Sequence, residues 1–276
     1  MILIWNLRSA LHLDLQRFFD QAGDIEAPHS TAFSKARVFL KASAFVDLND
    51  ALVNIARNHE LPEHRWRGLR LLAMDGSPLR LPKGSPEIVA HFGGTDCRQI
   101  TLPKSIRLRC VRVELETDEI EVLLANLVDQ VKYPAEEFKA LYHDRWTVEE
   151  WIKTTKCKIE MENWTGRTVH SIYQDFYARV LCQNLAVSLA TVSQPAIDLR
   201  HAANRHRYKV NVKRAIEVVR DHFVTLIERT SEAWDETMNR VARRLFQAAY
   251  VVRDGRSFPR AAPRRLPVAQ PYKPIV

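Results

Sequence analysis

The chain has 276 residues, 46% apolar and 27% charged, with a formal net charge of +8. That length and balance suit a globular protein of one or two domains with a sizeable core, and they exclude low-complexity and fibrous classes. The positive excess favours a polyanionic partner, of which nucleic acid is the usual one.

Residues 1–62 are predicted to be helical. Leu11, Leu15, Phe18 and Phe19 fall on one face, and Phe45, Leu48, Leu52 and Ile55 repeat at helical spacing. Between them, Ser30 or Thr31 is placed to cap a helix carrying Lys35 and Arg37. The region reads as a small DNA-binding unit or as a helical support, and Pro62 marks its end.

From residue 63 to about 160 the pattern turns strand-like before a helix. RGLRLLAMDGSPLRLP, Arg67 to Pro82, predicts an apolar strand ending at Asp75, a turn at Gly76 and a return strand. Asp-Gly between apolar runs is by itself a hairpin signal. From Ser105, SIRLRCVRVELET alternates apolar with polar residues, and a turn at Asp118–Glu119 leads to IEVLLANL. The nearly continuous apolar run in that second segment predicts a buried strand.

Pro134 then separates the strand from a helix bearing Tyr142, Arg145, Glu149 and Lys156. At about 100° per residue these four side chains fall within an arc of roughly 60°. One carboxylate is thereby flanked by two cations and a phenol. An Arg–Glu pair four apart is usually a solvated surface pair, and Arg preceding Glu is the weaker orientation, so helix support is a poor reason for the arrangement.

Residues 161–252 are predicted to be helical again. Tyr173, Phe176, Tyr177, Val180 and Leu181 are the expected core face of the first helix, and two further helices are expected near 211–229 and 232–250. Arg205, Arg207, Lys209, Lys213 and Arg214 form a basic run suited either to a phosphate backbone or to solvent. The tail, 253–276, holds six basic residues and five prolines against Asp254 alone, a composition expected to stay extended and disordered.

Other chemistries find little support. Cys97, Cys110, Cys157 and Cys182 lack the spacing of a zinc site or a disulfide framework, and the ten histidines lack ligand spacing. No phosphate-cradling loop occurs among the eight glycines, so an ATP-driven mechanism is not expected. The opening MILIW is too short to span a bilayer, no run of about 18 apolar residues follows, and no small-residue cleavage site follows a basic start, so a soluble cytoplasmic chain with no membrane partner is expected.

The stretch LYHDRWTVEEWIKTTK resembles the glutamate motif of the IS-four family of bacterial insertion-sequence DDE transposases, and the Asp75–Gly76–Ser77 turn followed by LRLP resembles that family's first acidic motif. The resemblance covers most of the chain. It implies an α/β, mixed α+β fold with a ribonuclease-H-like core flanked by helical regions. Asp75 and Glu149 would be catalytic carboxylates binding Mg2+ or Mn2+, and Tyr142, Arg145 and Lys156 would hold DNA phosphates. Transposon ends and target DNA would be the partners, in a nucleoid-associated homo-oligomer, with phosphodiester hydrolysis followed by strand transfer as the reaction.

One departure qualifies that implication. HFGGTDCRQ, from His91, looks like the start of the segment that bears the family's second Asp, yet by Leu102 the text LPKSIRLR already looks like its far side. A block is missing between about Thr95 and Thr101, and the second Asp motif with it. Asp96 and Asp118 are the candidate replacements, each required to stand within about 4–5 Å of the other carboxylates to share a metal. The expected reading is a shortened, catalytically impaired transposase; the alternatives are a DNA-binding or oligomerising remnant that restrains an intact transposase, and a relic.

Overall fold

The structure, a computed structural model, describes Leu3 and residues 11–21, 26–58, 65–72, 76–82, 107–114, 120–228 and 231–253. Among these residues helices predominate and the strands pair as three two-stranded antiparallel sheets, a mixed helix-and-strand fold. Much of the stretch on which a ribonuclease-H-like core is expected, residues 73–75 and 83–106, lies outside the described residues. The chain divides into two units. The first comprises Met1–Leu71, Pro78–Pro86 and Thr154–Val276, the second Leu72–Ser77 and Glu87–Lys153.

The first unit contains helices α1 (Leu11–Gln21), α2 (Ser30–Arg37) and α3 (Ser43–Asn58), and the short hairpin β1 (Arg65–Trp66) and β2 (Leu69–Arg70). Leu15 and Phe18 of α1 and Phe45 of α3 enter the core, with Leu11, Phe19 and Leu52 packed against it, as their spacing predicts. Leu48 and Ile55, expected on the same face of α3, are exposed. The α2 cap is also displaced from expectation. His29 is the N-cap, and its ring accepts from the Thr31 backbone N–H at 3.3 Å. In the stretch from Arg67 to Pro82 a tight turn lies at Arg67–Gly68, with φ of 51° and 78°, values that match a two-residue hairpin turn requiring a left-handed backbone at both positions. The strand expected to end at Asp75 and turn at Gly76 runs through residues 73–75, outside the described residues. No strand occurs in Gly76–Pro82.

The centre of this unit is α6 (Val169–Arg200), which packs against α3, against α7 (Val212–Glu228) and against α8 (Ser231–Gln247). Thr168 caps it by accepting from the Ser171 backbone N–H at 3.2 Å. The predicted aromatic core face is turned partly outward: Tyr173, Phe176, Tyr177 and Val180 are half-buried, and only Leu181 of that set is buried. Ile172, Ala178, Cys182, Ala186 and Ala190 are buried instead. Several are small, which lets neighbouring backbones approach closely.

Beside that apolar stripe runs a polar one. Ser171, Asp175, Arg179 and Gln183 recur every four residues and are all buried. Arg37 of α2 donates to Asp175 at 2.8 Å, to the Ser171 carbonyl at 2.7 Å, to Gln174 and to Thr165. Thr165 donates through both N–H and Oγ1 to Asp175. Arg179 donates to the carbonyls of Met161 and Asn163 and lies 5.7 Å over the Trp164 ring. Thr155 donates to Gln183 at 2.6 Å. Buried charges are tolerable only when bonded in this way. By length and apolar composition α6 is long enough to cross a membrane, and the buried polar stripe along it is satisfied by protein groups.

The helices α7 and α8 match the two expected near 211–229 and 232–250. Past α8 the expected helix gives way to β6 (Tyr250–Val251), paired with β5 (Tyr208–Lys209).

The second unit is built on the hairpin of β3 (Arg109–Glu114) and β4 (Ile120–Ala125), registered from Arg109↔Ala125 to Glu114↔Ile120, and on α4 (Glu137–Asp144). Val111, Val113 and Phe138 are buried, and Arg109 donates to the Tyr133 carbonyl at 2.6 Å while lying 5.5 Å over the Phe138 ring. The opposite face corrects the prediction of a buried second strand. Ile120, Val122 and Leu124 are 55%, 61% and 66% exposed, with Leu108 and Cys110 also exposed. Local hydrophobicity implied a covering layer that the described residues do not supply.

Candidate nucleic-acid interface

The expected continuous helix through Tyr142 and Lys156 is interrupted once. After α4, Arg145 forms a turn, and α5 (Trp146–Cys157) follows. Arg145 keeps helical dihedrals, φ −58° and ψ −32°, and its N–H bonds the Tyr142 carbonyl three residues back at 3.1 Å. The turn is a tightening of the helix, and the stripe survives it.

Within the second unit, Tyr142, Arg145 and Glu149 form a connected set. The Arg145 guanidinium lies 5.0 Å from the Tyr142 ring centroid and its Nη2 is 3.4 Å from the phenol oxygen. Its Nη1 stands 2.7 Å from Glu149 Oε1. The two side chains are 36% and 35% exposed, so the pair faces solvent and contributes little to stability. Burial works against the Arg145 charge, but the hydrogen bonds and charges of Glu149 and Tyr142 outweigh it, and the guanidinium's pKa is raised.

Lys156, on the part of α5 assigned to the first unit, is engaged by its own unit. Its Nζ donates to the Pro78 carbonyl and lies 3.8 Å from Glu162. Glu162 in turn accepts from the Arg80 N–H at 3.1 Å, and Trp164 donates to the Arg80 carbonyl at 2.7 Å. Lys156 therefore fastens the segment that follows Ser77 to the end of the glutamate helix.

The metal reading finds no complete donor set here. Asp75, Asp96 and Asp118 lie outside the described residues, so their distances to Glu149 do not enter. Among the described residues no three of His, Cys, Asp and Glu gather as a metal site. Glu149 itself is held by Arg145, whose charge already compensates it.

Two features escaped the sequence reading. The polar stripe of α6 was detectable in principle from the four-residue spacing of Ser171, Asp175, Arg179 and Gln183; the β5–β6 pairing joins strands some forty residues apart and leaves no local signal. Comparisons with family models, with curated proteins and with solved structures find no match.

Proposed function

We propose that this chain is a shortened IS-four-type DDE transposase, catalytically impaired, that retains a DNA-contacting surface on the glutamate helix. The observation that carries the reading is the linked set of Tyr142, Arg145 and Glu149. The phenol and the carboxylate fix the guanidinium from two sides on a side chain that is 36% exposed, where a phosphate oxygen can accept from it. In this reading Arg145 and Tyr142 position a DNA backbone, Lys156 holds the chain segment beside the motif, and Glu149 orients Arg145. Double-stranded DNA is the partner, in the bacterial cytoplasm at the nucleoid, bound by a homo-oligomer. The inherited Mg2+ or Mn2+ chemistry would require Asp75 and a third carboxylate beside Glu149.

The test uses the purified full chain and duplexes tiled across the DNA flanking its gene, with Mg2+ or Mn2+ present. Salt-sensitive, end-selective binding without cleavage is expected, and Arg145→Ala should weaken it. Metal-dependent cleavage at an end, lost in Glu149→Ala, would overturn the impaired reading. Binding with no preference for ends would overturn the transposase reading itself.

A further inference from the structure

The first unit carries a second basic surface, far from the motif in sequence. Residues 199–216 contain no acid but include Arg200, Arg205, Arg207, Lys209, Lys213 and Arg214. Arg214 pairs with Glu217 at 2.9 Å, while Arg205, Arg207, Lys209 and Lys213 are exposed and form no ion pair among the described residues. The β5–β6 ladder adds a further exposed cation. Val252 N–H bonds the Arg207 carbonyl at 2.8 Å, which brings the next residue, Arg253, to the same corner.

The corner is built on a held backbone. Gln194 of α6 donates to the Tyr208 carbonyl at 2.8 Å and accepts from the Val210 N–H at 3.0 Å, clamping β5 on both sides of Lys209. His201 stacks on Tyr208, centroids 3.9 Å apart and rings within 10° of parallel. Strand alternation sends Tyr208 and Val210 inward, where Val210 is buried, and places Arg207 and Lys209 on the outer face with Tyr250, itself 49% exposed.

These charges are not placed for the fold's benefit. Lys213 and Arg214 occupy the first turn of α7, which has no acid, and cations at that end oppose the helix dipole. Like charges on a short ribbon also repel one another. An arrangement that disfavours the isolated protein is explained by a ligand that reverses the sign of both effects.

We propose that this corner is a second nucleic-acid-binding surface, with Arg207 and Lys209 as its principal phosphate contacts and Tyr250 beside them. Its partner is the duplex backbone, because exposed cations held on a clamped ribbon neutralise phosphates whatever the sequence. The inference does not rest on the motif on α5.

Fluorescence anisotropy of the full chain with a labelled random-sequence duplex, titrated with salt, tests it. Arg207→Ala with Lys209→Ala should weaken binding about tenfold or more near 0.1 M salt and lower the salt slope by about two, with circular dichroism unchanged. Removing the same charge from the second unit, Lys132→Ala with Lys139→Ala, should leave the slope unchanged. Equal losses in both pairs, an unchanged slope in the first, or tighter Arg207- and Lys209-dependent binding to phosphatidylserine vesicles than to the duplex would each overturn the proposal. Arg145→Ala separates the two readings: it should weaken binding to an end-bearing duplex while leaving the Arg207- and Lys209-dependent binding of the random-sequence duplex in place, and loss of that random-sequence binding in the Arg207 and Lys209 variant alone belongs to this corner.

Discussion

The two units bury polar and apolar groups in opposite ways. In the helical unit, charged and amide side chains are drawn inside, and each finds partners: Arg37 with Asp175, Arg179 with two carbonyls, Gln183 with Thr155. In the hairpin unit, Val111 and Val113 are buried on one face of the ribbon, while Ile120, Val122 and Leu124 stand exposed on the other. A bonded internal polar network is hard to keep without a fixed arrangement of the elements around it. An apolar sheet face carries no such requirement on its own, and among the described residues nothing covers this one.

The largest expected effect tests the first half of that contrast. Asp175 is 2% exposed and Arg37 9%. Asp175→Ala would leave the Arg37 guanidinium buried without its carboxylate and remove the acceptor for Thr165, costing about 3–5 kcal/mol in urea unfolding. Glu149→Ala breaks an Arg–carboxylate pair of similar length on the surface and should cost less than about 1 kcal/mol. Equal losses would mean that burial does not separate the two pairs.

A smaller difference is expected within the hairpin. Val113→Ala removes methyl groups from the buried face and should cost about 1–3 kcal/mol. Val122→Thr, at a 61% exposed position, should stay within about 0.5 kcal/mol and reduce aggregation, measured by light scattering alongside unfolding. A loss at Val122 as large as that at Val113 would show that the outer face is covered in solution.

The same contrast explains what the sequence revealed. Amphipathic periodicity located α1, α7 and α8, and alternation located the β3–β4 hairpin, because those patterns arise from each segment's own geometry. The buried stripe of α6 was obscured because charged residues are ordinarily read as surface, and the partners that make Asp175 and Arg179 acceptable inside come from α2 and the loop at 161–165. Local hydrophobicity predicted burial of Ile120, Val122 and Leu124 because it cannot register whether a second layer exists. At the candidate site, residue spacing conveyed the Arg145–Glu149 contact, which is four residues long. It could not convey that Lys156 is held by Pro78, 78 positions away.

The smallest effect returns to the helical unit, at a polar group the network does not satisfy. His222 of α7 is buried, and its Nε2 has no hydrogen-bond partner among the described residues. Burial first, then Arg244, with Arg240 adding to it and Asp221 opposing, holds its pKa below the ordinary imidazole value. As pH falls below about 6.5 the unfolded chain takes up a proton that the folded chain refuses, so stability decreases until the folded imidazole also titrates and then levels off. His222→Gln removes that linkage. Thermal unfolding between pH 7.5 and 5 should show the variant losing less stability than the parent over this window, while the acid-sensitive carboxylates contribute equally to both. Parallel curves would mean that His222 is protonated as readily inside the fold as outside it, and that the α7–α8 interface accommodates the extra charge beside Arg244.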